Sequence, residues 1–362
     1  MESLSILFLN WRDIKNPEAG GAEIYTHEIA KRLVERGHLV TLFTSRFKNC
    51  KKKENIDGIN IVRLYGKYLL YWKVRKYYNE NRHKFDIIVD EINTIPFFTP
   101  KFAKREKIIA LIHQLAREAW FYETPFPINL FGYYFIEYRW LKNYIDIPTI
   151  TVSKSTENDL KSLGFQKIFI VYNGLNVKPL DKVPQKSEKP LIVYVGRMKK
   201  VKKPQDVIAA FKIIKKRIKN ATLWMIGNGY LRKKLEVKAQ DVTFFGYLSK
   251  EIKDKLVRKA WVIAVPGVRE GWGQVVTDAN ALGVPAVGYD IPGLRDSIKN
   301  GYNGFLVKNN PKALANGIIR ILINNKLRKK LSENAIKWAK RFSWDNSARR
   351  FEKIIKDLLL KE

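Results

Sequence analysis

The chain has 362 residues, 46% of them hydrophobic, and a formal net charge of +33. That length exceeds what one hydrophobic core usually serves, so two domains are expected; the single cysteine, Cys50, excludes an internal disulfide framework and a cysteine zinc site, which fits an intracellular protein. No run approaches the roughly 20 apolar residues of a membrane span, and the opening MESLSILFLN, short in its apolar run and carrying an acid, reads as a first strand rather than an export signal.

Residues 4–9 form the first buried strand. The loop after it runs through Asn10, Trp11, Arg12 and Asp13 to Gly20-Gly21-Ala22-Glu23, and a helix follows from Glu23 to Arg36, ended by Gly37. This is a Rossmann first turn in outline. It lacks the three-glycine dinucleotide spacing, so no nicotinamide cofactor is expected. Gly20 and Gly21 let the backbone approach a phosphate or a sugar, and helix entry alone is the plainer account of the same pair. Strands near 38–44, 59–64 and 85–90 alternate with a helix from Leu69 to Tyr78. The strand 107–112 ends at His113, and the carboxyl end of a parallel strand is where such sheets meet ligands. Trp120 to Tyr144 holds eleven of the chain's 45 aromatic residues, and Tyr65 to Tyr78 interleaves aromatics with Lys67, Lys73, Arg75 and Lys76. Both patterns fit either core-facing helices with snorkelling cations or a surface for an apolar acceptor or a membrane interface. Strands at 147–153 and 168–172 complete the first domain. The polar, proline-containing segment Val177 to Lys189 reads as an interdomain linker, with the boundary near 175.

The second half opens with a strand, Pro190 to Val195, followed by Gly196, Arg197 and a lysine-rich run that includes Lys202. Cations directly after a parallel strand can neutralise a diphosphate; a solvated basic loop is the alternative. Strands 222–226 and 242–245 end in Gly227-Asn228-Gly229 and Gly246-Tyr247-Leu248. Trp261 to Val265 leads into Arg269-Glu270-Gly271-Trp272-Gly273 and a helix on which Val275, Val276, Ala279 and Leu282 recur at helical spacing and which carries Asp278. Gly283-Val284-Pro285 closes that helix before the strand 285–289. A helix start favours phosphate, and a carboxylate beside it would repel one, so Glu270 and Asp278 read as acceptors for hydroxyl groups. A last short strand, 304–307, precedes helices at 311–324, 327–341 and 344–360. The charge is uneven. Residues 1–172 hold 27 basic and 19 acidic side chains, and 173–362 hold 41 and 16. Such an excess suits phosphorylated ligands, anionic lipid or nucleic acid, without choosing among them.

Glu270, seven intervening residues and a second acid, with Gly-Trp-Gly after the first and Gly283-Val284-Pro285 after the second, resembles the signature of the family 4 retaining glycosyltransferases of the two-Rossmann, B-type architecture. The spacing of Gly196-Arg197 and Lys202 and the Gly-Gly-Ala-Glu loop resemble the same family. One departure stands out: the family normally has Glu where this chain has Asp278. The resemblance implies an α/β chain of two doubly wound domains facing a cleft. The first, 1–175, would bind the acceptor and the second, 176–342, the nucleotide sugar, while a helix in 343–362 crosses back to the first. The implied reaction moves a sugar from a nucleotide-diphospho-sugar, such as a UDP- or GDP-sugar, to an acceptor hydroxyl with retention. Glu270, His113, Arg197 and Lys202 would carry the catalysis. Gly20, Gly21, Gly196, Gly227, Gly246, Tyr247, Gly271, Trp272, Gly273 and Asp278 would complete the donor site.

Arg197, Lys202 and the helix start after Gly271 would stabilise the leaving diphosphate without a metal, and no Asp-x-Asp occurs. No cofactor is expected. The acceptor would be a growing glycan or lipid-linked, and the place of work the cytoplasm or the inner face of the membrane, whose anionic surface suits the charge. Two acids near a sugar also fit a retaining glycosidase. A nucleotide-sugar epimerase or a phosphorylase-like enzyme fits the same architecture, although no pyridoxal-lysine segment is recognisable. A nucleic-acid-binding protein has only the charge in its favour, since no zinc spacing or RNP motif occurs, and Asp278 leaves open a non-catalytic sugar-nucleotide binder.

Overall fold

A computed structural model describes residues 3–360 of the chain. The chain divides into two compact units, one of Met1–Arg117, Leu130–Gly174 and Ser343–Glu362, the other of Glu118–Asn129 and Leu175–Phe342.

The first unit is built on a sheet of β1 (Ser5–Leu9), β2 (Leu39–Ser45), β3 (Lys53–Ile56), β4 (Ile59–Tyr65), β5 (Ile87–Glu91), β6 (Ile108–Ile112), β7 (Thr149–Thr151) and β8 (Ile168–Ile170). Their order is β3-β4-β2-β1-β5-β6-β7-β8, and every pairing is parallel except β3 with β4. Ile6 to Leu9 and Ile108 to Ile112 are almost wholly buried, as expected where helices cover both faces of a parallel sheet and the strands become continuous apolar runs. Strand β3 escapes that signal because KENI is an edge strand with one large apolar residue. From β1 the chain builds outward through β2 and β4, then crosses to β5 and builds the other way. A topological switch point therefore lies between β1 and β5.

Helix Trp344–Leu359 belongs to this unit. Ser343 caps it by accepting from the Asp345 amide at 3.2 Å, and its apolar face buries Phe351, which stacks on Phe8 with ring centroids 6.0 Å apart. Beside Phe351, Glu352 pairs with Arg36, with Lys356 at 2.5 Å and with His38 at 3.2 Å. Burial by itself would raise the Glu352 pKa; the hydrogen bonds from Lys356, Arg36 and His38 outweigh it and bring it down to about 2. A depressed carboxylate stabilises the fold above its unfolded pKa and loses that contribution as pH falls through the folded value, here about 3 kcal/mol released between about pH 4.5 and about pH 2. Glu352→Gln is accordingly expected to unfold more easily at neutral pH, with a shallower loss of stability in that acid range than the parent when denaturant midpoints are followed against pH.

The second unit carries a wholly parallel sheet of β9 (Leu191–Val195), β10 (Thr222–Ile226), β11 (Thr243–Gly246), β12 (Val262–Val265), β13 (Ala286–Tyr289) and β14 (Gly304–Val307), ordered β11-β10-β9-β12-β13-β14. Its switch point falls between β9 and β12. The segment expected as a linker is part of this unit instead: the Leu180 and Ser187 amides donate to the Ala281 and Lys259 carbonyls at 2.9 and 3.0 Å, and the Trp261 indole donates to the Ser187 carbonyl at 2.8 Å. Its polar composition serves backbone pairing rather than flexibility. Residues 118–129 likewise belong to the second unit, not to the first domain in which the sequence reading placed them.

Candidate active site

In the second unit the loops at the carboxyl edge of the sheet are stitched side by side. Gly227 N donates to the Gly246 carbonyl at 2.7 Å, Gly196 N to Ile226 at 3.0 Å, Val268 N to Val201 at 3.0 Å and Glu270 N to Pro292 at 3.2 Å. Two glycines make the spacing possible. A Cβ on Gly227 would lie 2.1 Å from the Gly196 carbonyl oxygen, and one on Gly293, at φ +80°, would lie 2.1 Å from that of Glu270. Because β9 and β12 are neighbours, the loops that follow them meet at the switch point, and there Lys202 Nζ stands 2.5 Å from Glu270 Oε1. Both side chains keep some exposure, 29% and 15%. Arg197 is exposed at the end of β9, where the buried Tyr194 hydroxyl donates to its carbonyl at 3.1 Å. Burial, then the Glu270 charge, pushes the Tyr194 phenol well up, so it stays a neutral donor.

Gly273 is the N-cap of helix Gln274–Ala281, and Trp272 is buried, edge-on to Phe342 at 5.0 Å. Trp272 therefore anchors the loop against Phe342. Tyr247, at 87% exposure, projects from the loop after β11. Asp278 accepts from the Asn176 amide, the Asn176 side chain and Gln274 Nε2, each at 3.0 Å, which fills three of a carboxylate's roughly four acceptor positions. Burial raises its pKa, against those hydrogen bonds. The sequence reading missed the segment 118–129 beside these loops. Glu118 pairs with Arg269 at 2.9 Å, and Glu123 accepts from the Val201 amide at 3.4 Å. Its signal was two acids, Glu118 and Glu123, at the start of an aromatic-rich stretch.

In the first unit, Gly20 precedes helix Gly21–Glu35, and its amide donates to Glu23 at 2.6 Å; Glu23 also pairs with Arg12 at 2.7 Å. A Cβ on Gly21 would meet nothing within 4 Å. His113 follows β6, is 8% exposed and stands edge-on to Tyr25 at 5.0 Å. Around the β1/β5 switch point lie Asn10, Glu91 and Asn93: Asn93 Nδ2 donates to Asn10 and to Glu91, 3.2 Å each. None of these three was singled out from the sequence. The expected residues lie at the carboxyl ends of the strands or in the segments that follow them: Gly20, Gly21 and His113 after β1 and β6 in the first unit, and Gly196, Arg197, Lys202, Gly227, Gly246 and Glu270 after β9, β10, β11 and β12 in the second, with Asp278 on the helix Gln274–Ala281.

Comparison with known proteins identifies what such a pair of units belongs to. Residues 178–338 match the model of the group 1 glycosyl transferases, and residues 19–178 match that of Glycosyltransferase Family 4. An uncharacterized glycosyltransferase of Methanocaldococcus jannaschii is 28% identical over 368 residues, covering 91% of this chain and 92% of its own. The fold is that of the sucrose-phosphate synthase from Thermosynechococcus elongatus (TM-score 0.80, 18% identity, 99% of this chain and 100% of the other). It is also that of Anabaena HepE, solved in complex with UDP-glucose (TM-score 0.73, 16% identity, 98% and 100%). The epimerase and nucleic-acid alternatives find no support in these matches. The chain belongs to the group 1 glycosyltransferases, family 4, and has their B-type fold of two α/β domains with parallel sheets.

Proposed function

We propose that the enzyme transfers a hexose from a nucleoside-diphospho-sugar, a UDP- or GDP-sugar, to the hydroxyl of a glycan or lipid-linked acceptor, with retention of configuration and with neither metal nor cofactor. The observation that carries the donor side is the Lys202–Glu270 pair at the β9/β12 switch point, with Arg197 in the same loop as Lys202 after β9. Donor phosphate attracts Lys202 away from Glu270, and the freed carboxylate accepts from two sugar hydroxyls. Arg197 and Lys202 then stabilise the charge that grows on the diphosphate as its bond to the anomeric carbon breaks. The acceptor oxygen bonds to that carbon on the same face, and its proton passes to the leaving phosphate oxygen. The ribose hydroxyl meets the acceptor position that Asn176 and Gln274 leave on Asp278, while His113 stands beside the donor sugar.

An apolar or lipid-linked acceptor at the cytoplasmic face of a membrane is favoured by the surface of the first unit. On helix Lys67–Asn81, Tyr68, Leu69 and Trp72 are 77%, 57% and 83% exposed. A groove of about 860 Å³ elsewhere on the unit is lined by the cations Lys101, Arg105, Arg139 and Lys142 and by the exposed rings of Tyr134, Phe135 and Tyr138, with no acid in its wall among the described residues. Rings that sit at headgroup depth beside cations that meet anionic headgroups make an interfacial surface. No helix among the described residues is long and apolar enough to cross a membrane.

The test is nucleotide release from a panel of UDP-, GDP- and ADP-sugars, with and without a cell-lipid extract. One donor is expected to release its nucleotide several-fold faster when the extract is present. Absence of release and of binding with every donor contradicts the reading.

A further inference from the structure

Strand β5 ends in two consecutive acids, Asp90 and Glu91, neither with any solvent exposure. Alternation along the strand sends them to opposite faces of the sheet, and their surroundings differ. Asp90 accepts from the Tyr144 and Thr99 hydroxyls at 2.5 and 2.7 Å and from the Phe97 and Thr99 amides at 3.2 and 3.3 Å. Four donors satisfy its lone pairs, so its work is to hold the 97–99 loop. Glu91 has fewer partners. It accepts from the Thr26 hydroxyl and from Asn93 Nδ2, and His113 Nε2 lies 3.3 Å from its Oε1. Among the described residues, His113 is the one group at ion-pair distance from Glu91 that can bear a positive charge.

A carboxylate withdrawn from water is costly unless its acceptor positions are filled, as the four donors fill those of Asp90 and as Thr26 and Asn93 alone do not fill those of Glu91. Glu91 also stands at the switch point, where parallel sheets meet their ligands. We propose that Glu91 is a positioning residue for His113. Its Oε1 takes the Nε2–H hydrogen bond, which fixes the ring's tautomer and orientation and leaves Nδ1 as the acceptor for a hydroxyl of the donor sugar. The Tyr25 ring, edge-on at 5.0 Å, restricts rotation of the imidazole from the other side. At 3.3 Å the pair is within reach but not aligned as a hydrogen bond; contacts of this kind tighten when substrate seats.

The inference rests on the reading of His113 as a group beside the donor sugar, and a double-mutant cycle separates the two. His113→Asn is expected to lower kcat about a hundredfold. Glu91→Gln is expected to lower it about tenfold with the donor KM within about twofold of the parent, and to add nothing in the His113→Asn background. Glu91→Gln with parental kcat, or with the same further loss in the His113→Asn background, overturns the positioning role while leaving the donor site standing. Parental kcat in His113→Asn overturns both. Thermal melting of each variant is followed in parallel, because a role confined to stability shifts Tm without this coupling.

Discussion

Replacing Glu270 with alanine is expected to lower sugar transfer about a thousandfold, the loss of two hydrogen bonds from sugar hydroxyls to a charged acceptor, while Tm stays within a few degrees of the parent. The fold survives because the loop is held by its backbone and its neighbours, not by this side chain. The Glu270 amide donates to Pro292, Val268 donates to Val201, and Gly293 lets the Pro292–Gly293 turn close over the Glu270 carbonyl. Trp272 anchors the other end against Phe342. Lys202, already 29% exposed, gains water in place of its partner. Glu270→Gln discriminates the role further: an amide can still accept from one hydroxyl, so partial activity is expected if Glu270 binds sugar. Transfer assays paired with circular dichroism read both quantities, and parental activity in Glu270→Ala contradicts the assignment.

Lys202→Met is expected to lower kcat about a hundredfold, with a smaller rise in the donor KM. The asymmetry follows from where the charge is. Both donor phosphates are already anionic in the ground state, but the bond to the anomeric carbon places additional charge on the departing oxygen only as it breaks, and groups that meet that charge act mainly on kcat. Removing Lys202 also strips Glu270 of its cation at 2.5 Å. Lys202→Arg keeps the charge and should recover part of the rate, though a planar fork does not reproduce the point charge of an ammonium. Steady-state kinetics with the donor varied at saturating acceptor checks this. A change in KM alone shows that Lys202 contributes only to ground-state binding.

These two residues mark how far the sequence could be read. Lys202 and Glu270 are 68 positions apart, and strand-by-strand reading placed each after a parallel strand without showing that β9 and β12 are neighbours; the family spacing supplied what periodicity could not. His113 was readable because a histidine directly follows a buried strand. Glu91 was not, since IIVDE places two acids together and only the pleat shows that Asp90 faces the 97–99 loop and Glu91 faces His113. The segment 118–129 was hidden inside an aromatic-rich run that looked continuous but is divided between the two units at Asn129 and Leu130. Its two acids meet Arg269 and the Val201 amide, contacts between residues too far apart in sequence to leave a local pattern. Polar composition misled at 177–189, where backbone hydrogen bonds bind the segment along the second unit. Asp278 is the clearest case of an identity whose meaning needed coordinates: its carboxylate is turned onto Asn176 and Gln274.

The central claim is a retaining, metal-independent transfer from a nucleoside-diphospho-sugar, and the anomeric configuration of the glycoside formed from the preferred donor and a lipid-extract acceptor, read by NMR with a chelator present throughout, tests it most directly. The account predicts a product with the donor's own anomeric configuration, formed at an undiminished rate in the chelator. An inverted product, or loss of transfer that a divalent cation restores, contradicts it.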